Sequence, residues 1–168
     1  MSAFVVSLHN TNNSINSIKY MSEESTTDAT ELSKALLAAA KRGELDHIQR
    51  LSSHANPSAF VDIATIEGMT ALHYAACAKP ALIPVLLSMG ARLEVRDNDG
   101  FTPLLHAASQ DGSPECLRLL LDAGADVSVM CAMNKPALFY AQGNQEKSDM
   151  LTEGGKKLEL LQAKTAAS

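Results

Sequence analysis

Polar and apolar positions follow three regimes along the chain. Over residues 1–26 Asn, Ser and Thr are in excess and no period emerges, which predicts a disordered lead over 1–27. Asp28 and Glu31 are then spaced as a capping pair, in which each side chain can satisfy a free backbone N–H at a helix start. "ELSKALLAAAKRG" follows as a strong helix former stopped at Gly43. "ELDHIQRLSSHANP" sets Leu45, Ile48 and Leu51 on one helical face, and Pro57 ends it.

From Gly68 onward the pattern copies itself. Gly68 and Gly100 lie 32 residues apart, as do Thr70 and Thr102, Leu72 and Leu104, and the pairs Ala75-Ala76 and Ala107-Ala108. Gly90-Ala91 and Gly124-Ala125 lie 34 apart, because "SQDGSPEC" is longer than the matching stretch after Ala76. Self-similarity at this period predicts stacked helix pairs. Each feature has a structural reason. The glycines at the turn precede a helix, where φ > 0 is often needed. Thr70 and Thr102 stand where a hydroxyl caps a helix, and Pro103 suits the first turn, where its missing N–H is no loss. The paired alanines let two helices approach. Leu86-Leu87 and Leu119-Leu120-Leu121 supply the stripe that neighbours bury, and Gly90 and Gly124 close their helices.

The motifs "GMTALHYAA" and "GFTPLLHAA", each followed by a leucine-rich helix and a Gly-Ala exit, resemble the ankyrin repeat, and "LLLDAGADV" is especially close to that family's pattern. The resemblance spans roughly Asp28 to Leu161. It implies an all-α ankyrin-type helical solenoid of about four helix-pair repeats with β-hairpin finger loops. Approximate units are 28–64, 65–96, 97–130 and 131–163, followed by a frayed tail over 164–168. The outer units depart from the pattern, as terminal repeats with one face toward water should. Leu105 stands where the family has His, with His106 one place later, so the hydrogen-bond network implied around His73 is not expected to recur in the third unit. "CAKPALIP" has Lys79 in place of a helix-ending Gly; Pro80 can start the second helix there, and Pro84 falls in its first turn or kinks it. In the last unit Asn134 takes the turn-Gly position, because Asn tolerates the left-handed region far better than Met133. Gly154-Gly155 there precede a final short amphipathic helix.

Composition narrows the class. The 168 residues are 46% hydrophobic and 20% charged, enough apolar side chain for one buried core. A net charge of −5 argues against a surface that neutralises nucleic-acid phosphates. No apolar run reaches the roughly 18 residues of a membrane span. "AFVVSL" is too short, and too poor in preceding positive charge, for a secretory signal. An acid-poor, Ser-rich start faintly suggests an organelle transit peptide, but it lacks Arg; Met21 also reads as a natural start. Cys77, Cys116 and Cys131 form no CxxC pair, so reduced thiols in the cytoplasm, with the nucleus also open, are the expectation.

Catalytic constellations are hard to find. His73 and Cys77 have the i, i+4 spacing of two metal ligands, yet His73 is the repeat's own structural His and no further pair stands nearby. Neither Cys116 nor Cys131 has a base that spacing would position. Gly154-Gly155 lack the strand and Lys of a phosphate loop. The expectation is a non-enzyme with no cofactor and no metal, monomeric when free, binding another protein and neither nucleic acid nor membrane. It would act as an adaptor or small inhibitor. An obligate structural or regulatory subunit is the alternative, and a metal- or thiol-dependent enzyme a remote one.

The resemblance also places recognition at finger tips and on the concave face. By position these are Ile66, Glu67, Met69, Cys77 and Ala78 in the second unit, and Asn98, Asp99, Phe101, Ser109 and Gln110 in the third. The sequence itself adds "VSVMCAMNK", Val127 to Lys135, where the preceding finger has the polar "EVRDNDG". Met130, Ala132 and Met133 there are either core under the last unit or an adaptable contact patch. The turn Arg96 to Asp99 reads as a solvated tip.

Overall fold

Two ranks of short helices run side by side, each buried along one face because no helix of this length is stable alone. The computed structural model describes residues 29–166, with side chains to residue 156. The expected lead, and Asp28 of the capping pair, lie outside these residues; Glu31 instead pairs with Lys34 at 2.8 Å. Helix α1 occupies residues 29–42. It is followed by α2 (Leu45–Ser52), a 3-10 turn (Pro57–Ala59), α3 (Ala71–Ala78), α4 (Leu82–Ser88), α5 (Pro103–Ala108), α6 (Pro114–Asp122), α7 (Ala137–Tyr140) and α8 (Gln145–Ala166). The first rank stacks α3 on α5 and α5 on α7, and the second stacks α2, α4, α6 and α8 in order. Each pair also packs on itself, α3 on α4, α5 on α6 and α7 on α8.

One continuous core runs through the stack. Leu36, Ala39 and Ala40 of α1, Leu72, Ala75 and Ala76 of α3, and Leu104, Leu105, Ala107 and Ala108 of α5 are buried. Ile48, Leu86, Leu117, Leu120 and Leu151 supply the second rank. The alanine pairs do what their size predicts: they sit fully buried between neighbouring helices.

The fingers are tighter than full hairpins. In each, one N–H closes a turn and another makes a single ladder bond: Thr65 to the Met69 carbonyl (3.0 Å), Asp97 to Phe101 (2.9 Å) and Cys131 to Lys135 (3.1 Å). Among the described residues the only β pairing is an isolated bridge between Met130 and Pro136. Gly68 and Gly100 take φ of +80° and +76°, and Asn134 takes +57° at the equivalent position, as its side chain allows. A Cβ on Gly100 would fall 2.6 Å from the Ala132 backbone nitrogen, so close approach of the next finger demands glycine as well.

Two local expectations change. Pro80 lies in a turn before α4, which starts at Leu82, so Pro84 occupies its first turn and no kink is needed. Gly154 and Gly155 do not separate two helices. α8 runs unbroken from Gln145 to Ala166, through most of the tail expected to fray. Gly154 lets α8 press on α6, since a Cβ there would lie 3.3 Å from both Leu121 and Val127. That contact offsets the roughly 1 kcal/mol a helical glycine costs.

Candidate functional site

Consecutive finger tips are hydrogen-bonded into a comb. Asn98 donates from its backbone to the Glu67 carbonyl (3.0 Å) and from its amide to the Ile66 carbonyl (2.9 Å). Ala132 N–H donates to Asp99 (3.0 Å), and Arg96 donates to the carbonyls of Met130 (2.6 Å) and Gly100 (3.2 Å). These bonds hold the tips in fixed register and leave the apolar side chains of Ile66, Met130 and Met133 outside the network. Ile66 is 92% exposed, Met133 62% and Met130 43%. The last unit therefore does not cover its finger's methionines; of that apolar run Cys131 is buried, 3.1 Å from the Tyr140 hydroxyl. Glu67, Asn98, Asp99 and Ala132 are exposed beside them.

The Arg96 to Asp99 turn, expected as a solvated tip, is half structural. Asp97 turns inward, accepting from the N–H groups of Asp99 (3.0 Å) and Phe101 (2.8 Å) with one oxygen. Its other oxygen lies 2.8 Å from His106 Nε2. Arg96, Asn98 and Asp99 are the exposed residues of this turn, and of them Arg96 and Asn98 also donate to neighbouring fingers.

Behind the tips runs a row of rings that the sequence reading did not foresee. His73 is buried; its Nδ1 accepts from the Thr70 N–H (3.1 Å) and lies 2.8 Å from the Thr70 hydroxyl. This leaves the proton on Nε2, which donates to the Phe101 carbonyl at 3.1 Å. Burial, and to a smaller extent neighbouring His106, holds His73 below the usual histidine range. Ring centroids then follow at 5.5 Å (His73–His106), 5.2 Å (His106–Phe101) and 4.9 Å (Phe101–Tyr140). Phe101 is half-buried in this row, and Met69 and Cys77 are half-buried too. The Cys77 thiol lies 3.6 Å from the His73 carbonyl, and burial pushes it up, away from nucleophilic chemistry. Repeat spacing matches only two members of the row, His106 and Tyr140; His73 and Phe101 stand at other repeat positions.

Ser109 and Gln110 stand at the opposite end of α5 from its finger, beside a cleft of about 240 Å³ between the α5–α6 and α7–α8 pairs. Among the described residues no group of three or more His, Cys, Asp or Glu could hold a metal ion, and no helix is long and apolar enough to cross a membrane.

Comparison with known proteins matches this architecture along nearly its whole length. The family described as ankyrin repeats, in three copies, covers residues 4–97, 36–131 and 79–160. The chain belongs to the ankyrin repeat family. It is similar to SH3 and multiple ankyrin repeat domains protein 1 of Homo sapiens, 38% identical over 94 residues, covering 55% of this chain and 4% of that protein. Ankyrin repeat protein nuc-2 of Neurospora crassa is 36% identical over 99 residues, 56% of this chain and 9% of its own length. RelA-associated inhibitor of Mus musculus is 34% identical over 121 residues, 71% of this chain and 13% of its own length. The chain thus spans only a small part of each relative. Ankyrin repeats mark it as a protein–protein interaction module.

Proposed function

We propose that this ankyrin chain is a non-catalytic adaptor or small inhibitor. It grips a folded partner protein with its finger tips and the groove beside them, and is monomeric when free. The observation that carries the reading is the contrast within the first and third fingers. Backbone and inward side chains are fixed by hydrogen bonds, whereas Ile66, Met130 and Met133 stand exposed on that rigid base. A rigid comb with apolar tips binds without first ordering a loop, and methionine adapts to irregular surfaces. One relative carries the word inhibitor in its name, which supports the blocking form of the reading.

A second reading, a permanent subunit, draws on the end of the stack. Leu72 and His73, and then Leu104 and Leu105, are buried on helices that stack against the following unit. At the same positions in the last unit Leu138 and Phe139 are 47% and 40% exposed. Capture from native cells separates the two readings. Wild type is compared with a triple variant, Ile66→Ser, Met130→Ser and Met133→Ser, and with a double variant, Leu138→Ser and Phe139→Ser, each checked for an unchanged melting midpoint. Loss of a partner in the triple variant alone supports the finger reading. Loss in the double variant alone supports the subunit reading.

A further inference from the structure

Aligning the second rank of helices on Leu86, Leu120 and Leu151 brings Leu82, Cys116 and Lys147 to one position. All three are buried, Lys147 at 2% exposure. Two units fill this place with an apolar side chain or a thiol, and the last fills it with an ammonium group. Packing gives no reason for that choice, since burying a cation carries a desolvation cost that a Leu would avoid. Lys147 Nζ donates to the Ser109 carbonyl at the end of α5. An ammonium has three donors, and this is its one hydrogen bond among the described residues. Asp111 contributes a favourable field, weaker than the burial that lowers the Lys147 pKa, and makes no ion pair with it.

The same lysine helps line the cleft of about 240 Å³, together with Ser109, Gln110, Gln142 and Asn144. Gln110 and Gln142 are exposed and can turn their amide N–H groups inward. We propose that this cleft is a carboxylate-binding pocket, in which Lys147 and the two amides receive an acidic group of the partner protein. A carboxylate supplies what the site lacks: negative charge and lone pairs for the unused donors. Asp111, the carboxylate whose field reaches Lys147 most strongly, lies outside the cleft lining. The pocket deepens the proposed function by naming one chemical feature of the partner. It is tested without that partner, so the two ideas fail separately.

The test is a titration of the full chain at low salt, followed by amide NMR. N-acetyl-glutamate α-amide carries a side-chain carboxylate, N-acetylglycylglycine a terminal one, and N-acetyl-glutamine α-amide is the neutral control. The expected result is saturable, millimolar shifts at Ser109, Gln110, Gly143 and Asn144 with one or both acids and none with the control. The stronger acid identifies the source, and Lys147→Met abolishes the shifts. No saturable shift with either acid, equal shifts with the control, or shifts that persist in Lys147→Met would each overturn the pocket. Should Lys147→Met not fold, the side-chain signal of Lys147 in the wild type decides: it must move with the acid, and a fixed signal refutes the proposal.

Discussion

The second and third helix pairs meet across a buried imidazole, and the third and fourth meet across a leucine. At the first junction His73 ties its own helix start to the Phe101 carbonyl of the next finger. At the second, Leu105 fills the matching place with no polar reach, and Lys147 donates to the Ser109 carbonyl at the far end of α5, where the first junction has the weaker bond from the Cys116 thiol to the Ala75 carbonyl (3.5 Å). The junctions share a shape and differ in chemistry. A stacked fold requires volume and register at each contact, while the kind of hydrogen bond that locks it can be exchanged.

The comparison breaks first at its apolar half. Leu105→Ala should cost about 2–5 kcal/mol in chemical denaturation, as a fully buried leucine does. Leu105→His should cost markedly less. The Thr102 backbone and the Lys135 carbonyl stand where Thr70 and Phe101 serve His73, so the new imidazole finds the same partners. If the two variants are equally damaging, the junctions are not interchangeable.

Glycine gives the next effect. Gly100→Ala places a methyl against the Ala132 backbone as well as forcing a left-handed alanine, and should cost about 2 kcal/mol or more. Gly124 has the same handedness (φ +93°) and nothing within 4 Å of an added Cβ, so Gly124→Ala should cost only about 1 kcal/mol. Equal losses would show that the finger contact exerts no pressure.

The smaller effect is the pH response of the first junction. Above roughly pH 6.5 His73 is neutral in folded and unfolded chains and adds no slope. Below it the unfolded chain takes up a proton that the folded chain resists, so stability falls as pH drops toward the lowered folded value. His73→Gln should flatten the melting midpoint between pH 7 and 5 relative to wild type, by at most about 1.4 kcal/mol per pH unit. An unchanged slope would mean that the folded chain binds the proton as readily as the unfolded one, and that burial does not depress His73.

Much of this was legible from spacing. Gly68, Gly100 and Asn134 mark the three turns because only a few residue types accept their backbone. The alanine and leucine positions mark the ranks because burial selects size. The sequence also pointed to the finger with Met130 and Met133, though whether the last unit covers them depends on where α7 stops, which no local pattern encodes. Phe101 does more than its position in the finger suggests. It is variable in type, yet its ring and carbonyl are used by neighbours 28 residues before it and 39 after it. Lys147 is hard to read because a lone lysine in a polar helix looks solvated; only alignment with Leu82 and Cys116 exposes it. Gly154 suggested a break because propensity alone cannot register the close contact with α6.

The central claim is that binding resides in the comb of fingers. Its most direct test is hydrogen exchange of the chain free and in complex with the partner recovered by capture. The account predicts added protection at residues 65–69, 97–101 and 131–135 and at Ser109–Gln110, with little change in α2 and α4. Protection confined to α7 and α8, or to the outer rank, with the fingers exchanging as in the free chain, would contradict it.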